Sequence, residues 1–307
     1  MSQPPDPTGQ PHAAQPHAAQ PHAAQPYAAQ PGAAQPGAAQ PAVDTVLLAD
    51  VGNSRIKLGV VTAAAAREGL PTIGRRMDLA SRSFHPVNLD EWLRAVAPGP
   101  AVVLVASVHD LAATRLEAMI AELAATQHRQ LRQRRIRADD LPLQIDVPEP
   151  EKVGIDRLAA AAGANRLRSP GRPAVVVDCG TAVTVDLLSA SGVFLGGAIL
   201  PGAPLMATAL ADGTSKLPQV ASLERGMPPA MPGKSTAEAI AAGIGWGFRG
   251  AVARLVVEAQ QALGAGAEVV LTGGWRAAVR HEFQAAKEMP DLVLEGVGLA
   301  AEKALAR

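Results

Sequence analysis

The chain has 307 residues, and its 28 basic groups cancel its 28 acidic ones. A net charge of zero argues against a broad basic surface for nucleic acid. A single cysteine, Cys179, excludes a disulfide framework and a multi-cysteine metal site, and the histidines lack metal-ligand spacing.

From Pro11 to Pro41 a proline recurs every five residues, in units such as PHAAQ and PGAAQ. Proline removes a backbone donor and fixes φ, so no helix propagates through this spacing. Alanine and glutamine offer too little apolar surface to offset chain entropy. Residues 1–43 therefore read as a disordered arm. A secretory leader needs a basic start and an unbroken apolar stretch, and neither is present. With no run of about 18 apolar residues, the expectation is a cytoplasmic protein without a membrane span.

Thr45–Ala49 is a short apolar strand ending at Asp50, followed by Gly52-Asn53 and a second strand over Ile56–Val61. Ala101–Ala106 is a further buried strand. Thr114–Arg135 has helical periodicity, with Leu116, Met119, Ile120, Leu123 and Leu131 on one face. Asp156–Leu167 is an alanine-rich helix. The breaker cluster Arg168–Pro173 divides the folded part into halves, 44–170 and 171–307. Ala174–Val177 ends at Asp178, then come Gly180-Thr181 and the strand Val183–Leu188, which repeats the pattern at Asp50 and suggests a duplicated unit. Gly196-Gly197 and Pro201-Gly202 bracket Ala198–Leu200. Ser235 and Glu238 have the spacing of a capping box, opening a helix to about Leu263. Glu268–Leu271 is a strand ending in Thr272-Gly273-Gly274, and Leu292–Leu294 precede a last helix reaching Leu305. Strands alternating with helices in both halves specify an α/β protein.

Chemistry concentrates at the two Asp-x-Gly turns. Glycine lets backbone amides approach phosphate oxygens, and an adjacent carboxylate can hold a cation that neutralises them. Lys57, four residues after Asn53, reads equally as a phosphate contact or a solvated strand lysine. Gly233-Lys234-Ser235-Thr236 resembles the end of a P-loop, but Pro228 stands where that motif needs glycine. Ser235 and Thr236 remain candidates as helix N-terminal groups. Asp156-Arg157 reads either as a helix-start carboxylate beside a solvated arginine or as a base and an anion clamp. Gly243, Gly245, Gly247 and Gly250 each weaken a helix, so a close contact within the chain or across a dimer is expected there. Cys179 reads as a small buried filler.

In order along the chain stand DVGNSRIK (Asp50–Lys57), GIDR (Gly154–Arg157), DCGTAVTVD (Asp178–Asp186), GGAILPG (Gly196–Gly202), TSKLP (Thr214–Pro218) and LTGG (Leu271–Gly274). Together they resemble the type III pantothenate kinases, members of the acetate and sugar kinase, Hsp70 and actin superfamily, over about residues 44–307. The resemblance implies two ribonuclease-H-like halves around a cleft, usually in a homodimer. It implies ATP-dependent phosphorylation of pantothenate, with Mg²⁺ accompanying ATP and with K⁺ or NH₄⁺ as activating cation. Asp50, Val51, Gly52, Asn53, Ser54, Arg55, Ile56 and Lys57 would form the ATP phosphate hairpin, and Thr181 a further ATP contact. Asp178 would hold the monovalent cation. Gly154, Ile155, Asp156 and Arg157 would bind pantothenate, with Asp156 as base, Arg157 pairing with the substrate carboxylate or a phosphate, and Thr236 as a further contact. No nucleic acid or membrane partner is implied.

The sequence departs from the family pattern in three places. VPEPEKVGIDR lacks the tyrosine common before GxDR, Ser54 stands where threonine is usual, and the repeat arm has no counterpart. Two other readings are a non-catalytic nucleotide- or metabolite-binding regulator on the same fold, and a kinase for another small alcohol. The intact Asp50, Asp156 and Asp178 argue against the first, and the missing tyrosine motivates the second.

Overall fold

The computed structural model describes residues 45–301 and Lys303, except Glu68, Ala221, Ser222, Glu224, Pro228 and Ala265; the side chains of residues 62–67 are likewise not described. The repeat arm and the expected helix end at Leu305 lie outside the described residues.

In chain order the elements are β1 (Thr45–Val51), β2 (Arg55–Arg67), β3 (Leu70–Ala80), α1 (Pro86–Val96), β4 (Ala101–Ser107), α2 (Asp110–Thr126), β5 (Leu131–Arg135), β6 (Gln144–Ile145), α3 (Ile155–Leu167), β7 (Ala174–Cys179), β8 (Ala182–Leu188), β9 (Val193–Pro201), α4 (Ala203–Asp212), α5 (Thr236–Leu263), β10 (Glu268–Thr272), α6 (Arg276–Val279), β11 (Lys287–Glu288) and α7 (Leu292–Leu299). The first sheet has the order β3-β2-β1-β4-β5 and the second β11-β10-β7-β8-β9-β6. In each, three strands form an antiparallel meander and two more add in parallel beside the first. Both sheets therefore have ribonuclease-H-like topology, and the repeat of the Asp-x-Gly turn extends to a repeat of the sheet around it. Two elements lie across the 170/171 division. β6 pairs with β9 of the second sheet, and α7 packs on strands of the first.

Strand periodicity sorts side chains into layers. In β1, Leu47, Ala49 and Val51 face an outer core with α1 and α2, while Leu48 faces a central core. In β7, Val175, Val177 and Cys179 face α5, while Ala174 and Val176 face the same central core. That central layer is filled by α3 and α7, so α3 is buried on nearly every side from Leu158 to Leu167. The two helices approach very closely: a Cβ on Gly296 would lie 1.9 Å from the Ala159 carbonyl oxygen.

The expected helix Thr114–Arg135 is corrected at its end. The helix stops at Thr126, and Leu131–Arg135 pairs in parallel with β4 as an edge strand. Leu131 continues the helical period by coincidence. The break falls at Gln127–Arg129, where His128 adopts φ 50°, and backbone pairing outcompetes one more helical turn. The last helix begins at Leu292 itself, so Leu292–Leu294 form its first turn. β3, α1 and α4 had no expectation. The helix after Ser235 starts as expected: the Ser235 hydroxyl accepts from Glu238 N, and the Glu238 carboxylate accepts from Lys234 N at 2.7 Å. By length and composition α5 can cross a membrane; here Ile244, Phe248, Val252 and Val256 pack on the second sheet. Of its glycines, Gly245 meets Pro229 and Arg249, while a Cβ on Gly243, Gly247 or Gly250 would meet nothing within 4 Å among the described residues beyond the helix's own backbone.

Gly296→Ala should force α3 and α7 apart. Overpacking of this kind costs about 1–3 kcal/mol, so thermal denaturation should show a clear drop in Tm; an unchanged Tm would contradict this packing.

Candidate active site

The layer arrangement decides where the acids meet. Asp50 stands two residues after Leu48 and Asp178 two after Val176, so both point to the central layer at the ends of their strands. α3 begins in that layer and brings Asp156 in its first turn. These residues line one cavity of about 290 Å³, together with Gly52, Asn53, Ser54, Arg55, Lys57, Arg157, Gly180 and Thr181.

The two hairpins touch at their tips, where the Ser54 and Thr181 hydroxyls lie 2.8 Å apart. Each turn closes in the same way: Gly52 N donates to Arg55 O at 2.9 Å, and Gly180 N to Ala182 O at 3.0 Å. Asp50 and Lys57 are paired across the first hairpin, and Lys57 Nζ lies 3.3 Å from Asp50 Oδ2. Burial pulls the Lys57 pKa down, but Asp50 and Asp178 more than compensate and hold it above the ordinary value. Lys57 is thus a charged pocket residue.

Asp178 is pushed up to about 7, first by burial and then by Asp50, Asp156 and Asp186, against the pull of Lys57. It is backed by Gly273 at φ 87°, where a Cβ would lie 2.4 Å from Asp178 Oδ1. Asp156 is also raised, by burial and then by Asp50, while the Arg157 amide bond to Oδ1 at 2.8 Å opposes the shift. Its carboxylate lies over Gly154, whose Cβ would stand 2.6 Å from Asp156 Oδ1. The GIDR glycine is therefore room for the acid. Burial and the neighbouring Asp178 push the Cys179 thiol up, so it is no nucleophile.

Arg157 is committed to Asp186. Its Nε lies 3.1 and 3.2 Å from the two carboxylate oxygens, with Nη2 also bonded to Oδ1. The side chains are 15% and 1% exposed, so this is a buried pair and the alternative of a solvated arginine is corrected.

Not every expected residue joins the cavity. Val51 and Ile56 are fully buried and point into the outer core, so only their backbone belongs to the hairpin. Ile155 packs against the central core. Thr236 lines a separate open groove with Met206, Leu210, Ile240 and Gly243. Among the described residues no three His, Cys, Asp or Glu side chains form a group able to hold a metal ion by themselves.

A family model described as type III pantothenate kinase matches residues 46–258, well over half the chain. The chain belongs to the type III pantothenate kinase family. The type III pantothenate kinase of Rhodopirellula baltica is 37% identical, over 73% of this chain and 86% of that protein. That of Akkermansia muciniphila is 34% identical over 84% of this chain and 98% of its own length. Among solved structures, the activator of the 2-hydroxyisocaproyl-CoA dehydratase from Clostridium difficile, with bound ADPNP, covers 85% of this chain and 96% of its own at 15% identity and TM-score 0.45; family membership rests on the sequence matches alone.

For this member of the pantothenate kinase family, sequence reasoning missed Asp186, Arg225 and Trp275. Asp186 closes the DCGTAVTVD motif, and its signal was a carboxylate alternating inward on a strand. Arg225 and Trp275 line the cavity from segments with no motif of their own, although Trp275 directly follows the Thr-Gly-Gly turn.

Two outcomes follow from these buried charges. Removing one partner of a buried pair costs about 3–5 kcal/mol, so Asp186→Ala should lower Tm markedly, and an unchanged Tm would contradict the pairing. Asp178 binds its proton more tightly folded than unfolded. Its stabilising contribution is full below its ordinary value of 3.8 and is lost as pH rises through about 7. Between about pH 5 and pH 8, wild-type Tm should fall more than that of Asp178→Asn; equal slopes would contradict the shift.

Proposed function

We propose that the protein is an ATP-dependent pantothenate kinase, transferring the γ-phosphoryl group to the primary hydroxyl of pantothenate to give 4′-phosphopantothenate, the first step toward coenzyme A. The observation that supports this most is the meeting of Asp156 with both glycine hairpins in one cavity. Phosphoryl transfer needs positioning and charge neutralisation more than covalent chemistry. The amides of the turns at Gly52-Asn53 and Gly180-Thr181 would hold phosphate oxygens, with Lys57 as a point charge beside them.

Asp156 would take the proton of the attacking hydroxyl. Burial and the neighbouring Asp50 raise its pKa, which makes it a stronger base than an ordinary carboxylate. Arg157, held by Asp186, fixes the start of α3 and so the position of Asp156. Its Nη1, unbonded among the described residues, is left for the pantothenate carboxylate or a phosphate.

The donor set fits small cations. Asp50 and Asp178 would hold Mg²⁺ through water, and Asp178 would hold K⁺ or NH₄⁺; such cations supply neutralisation of the phosphate charge. Asp178 is raised first by burial and then by three neighbouring carboxylates, against the pull of Lys57, a setting that favours a cation beside it.

As domains we take the halves 44–170 and 171–307, with β6 and α7 exchanged across the division. A homodimer would use the groove around Thr236. That surface is apolar, includes Leu210 and Gly243, and lies on the helix whose Gly243, Gly247 and Gly250 meet no side chain among the described residues. Thr236 would then contact substrate only by way of a second copy. A cytoplasmic location accords with a soluble metabolic enzyme.

Purified protein with ATP, Mg²⁺ and K⁺ should release ADP only when pantothenate is added. Absence of pantothenate-dependent release with either K⁺ or NH₄⁺ would overturn the proposal. Asp156→Asn should lower kcat by at least about 10²-fold while ATP still binds; near-normal turnover would remove Asp156 from its role.

A further inference from the structure

The cavity has an unusual charge inventory. Three carboxylates line it, Asp50, Asp156 and Asp178, and so do four cations, Arg55, Lys57, Arg157 and Arg225. Three of the cations already have carboxylate partners. Lys57 pairs with Asp50, Arg55 with Asp78 at 3.7 Å, and Arg157 with Asp186. Arg225 has no carboxylate or hydrogen-bond partner among the described residues.

What Arg225 has is an aromatic platform. Its guanidinium carbon lies 5.2 Å from the centroid of the Trp275 ring. Trp275 is braced in turn. Its ring meets Phe248 edge-on at 6.3 Å, and its backbone N donates to Cys179 O at 2.9 Å, one residue beyond Asp178. A cation resting on a π face is oriented without being neutralised, so all its N–H donors stay available. A pocket already rich in carboxylates repels a triphosphate unless it offers a cation not spent on its own acids.

We infer that Arg225, held over the pocket by Trp275, is a phosphate-binding residue that grips the triphosphate of the nucleotide. It enters from the segment between α4 and α5 and supplies positive charge that, unlike that of Arg55 and Lys57 in the first hairpin, is not paired with a carboxylate among the described residues. Trp275 is a positioning residue that presents it. This rests on the reading of the cavity as the ATP site.

Calorimetric titration of the full chain with Mg²⁺-ATP, Mg²⁺-ADP and adenosine tests the inference. Arg225→Gln should weaken ATP binding roughly 10- to 100-fold, as expected for loss of a hydrogen bond to a charged group, and leave adenosine affinity unchanged. Arg225→Lys should recover part of the loss. Arg225 is exposed, so the Tm of Arg225→Gln without nucleotide should match wild type, and the rise in Tm on adding ATP should be smaller. ATP affinity equal to wild type would overturn the assignment. So would an equal loss for adenosine, which would place Arg225 on the nucleoside. Failure of the wild type to bind ATP would overturn the nucleotide reading of the cavity, and the role of Arg225 with it.

Discussion

The organising constraint of this molecule is the convergence of like charges in the central layer between two sheets. Asp50, Asp156, Asp178 and Asp186 approach from two strand ends, a helix start and a neighbouring strand. Burial raises Asp156, Asp178 and Asp186 above the ordinary carboxylate value, and repulsion from neighbouring carboxylates adds to it at Asp156 and Asp178. A fold tolerates such a cluster only where cations are placed to match it. Lys57 and Arg157 are those cations. Asp178 stays raised even with Lys57 beside it.

The layers make the convergence possible. Strand alternation aims Asp50 and Asp178 at the same central space, because Leu48 and Val176 before them already face it. α3 fills that space with small residues and approaches α7 closely enough that only glycine fits at position 296. Asp156 is thus mounted on a helix that is buried on nearly every side. That placement limits its motion, as the proposed role of Asp156 as base requires.

Much of this was legible in the sequence because turns advertise themselves. Asp-x-Gly after an apolar run marked both hairpins, and the ordered motifs identified the family. Side-chain geometry was legible only in part. Nothing local distinguishes Arg157 as a partner of Asp186, since the two lie on different elements that meet only through the central core. Val51 and Ile56 belong to the hairpin motif but serve the outer core, because a strand motif alternates between two faces. Leu131 was assigned to a helix because periodicity alone does not see the exposed edge of β4 that captures it. Arg225 lies outside the helices and strands, and among the described residues its contact with Trp275 gives it a place.

A crystal structure with a non-hydrolysable ATP analogue, Mg²⁺ and pantothenate tests the central claim most directly. The account predicts the triphosphate between the Gly52-Asn53 and Gly180-Thr181 turns and the pantothenate hydroxyl at hydrogen-bond distance from the Asp156 carboxylate, about 2.6–3.2 Å. Pantothenate bound elsewhere, or an Asp156 carboxylate turned away from its hydroxyl, would contradict it.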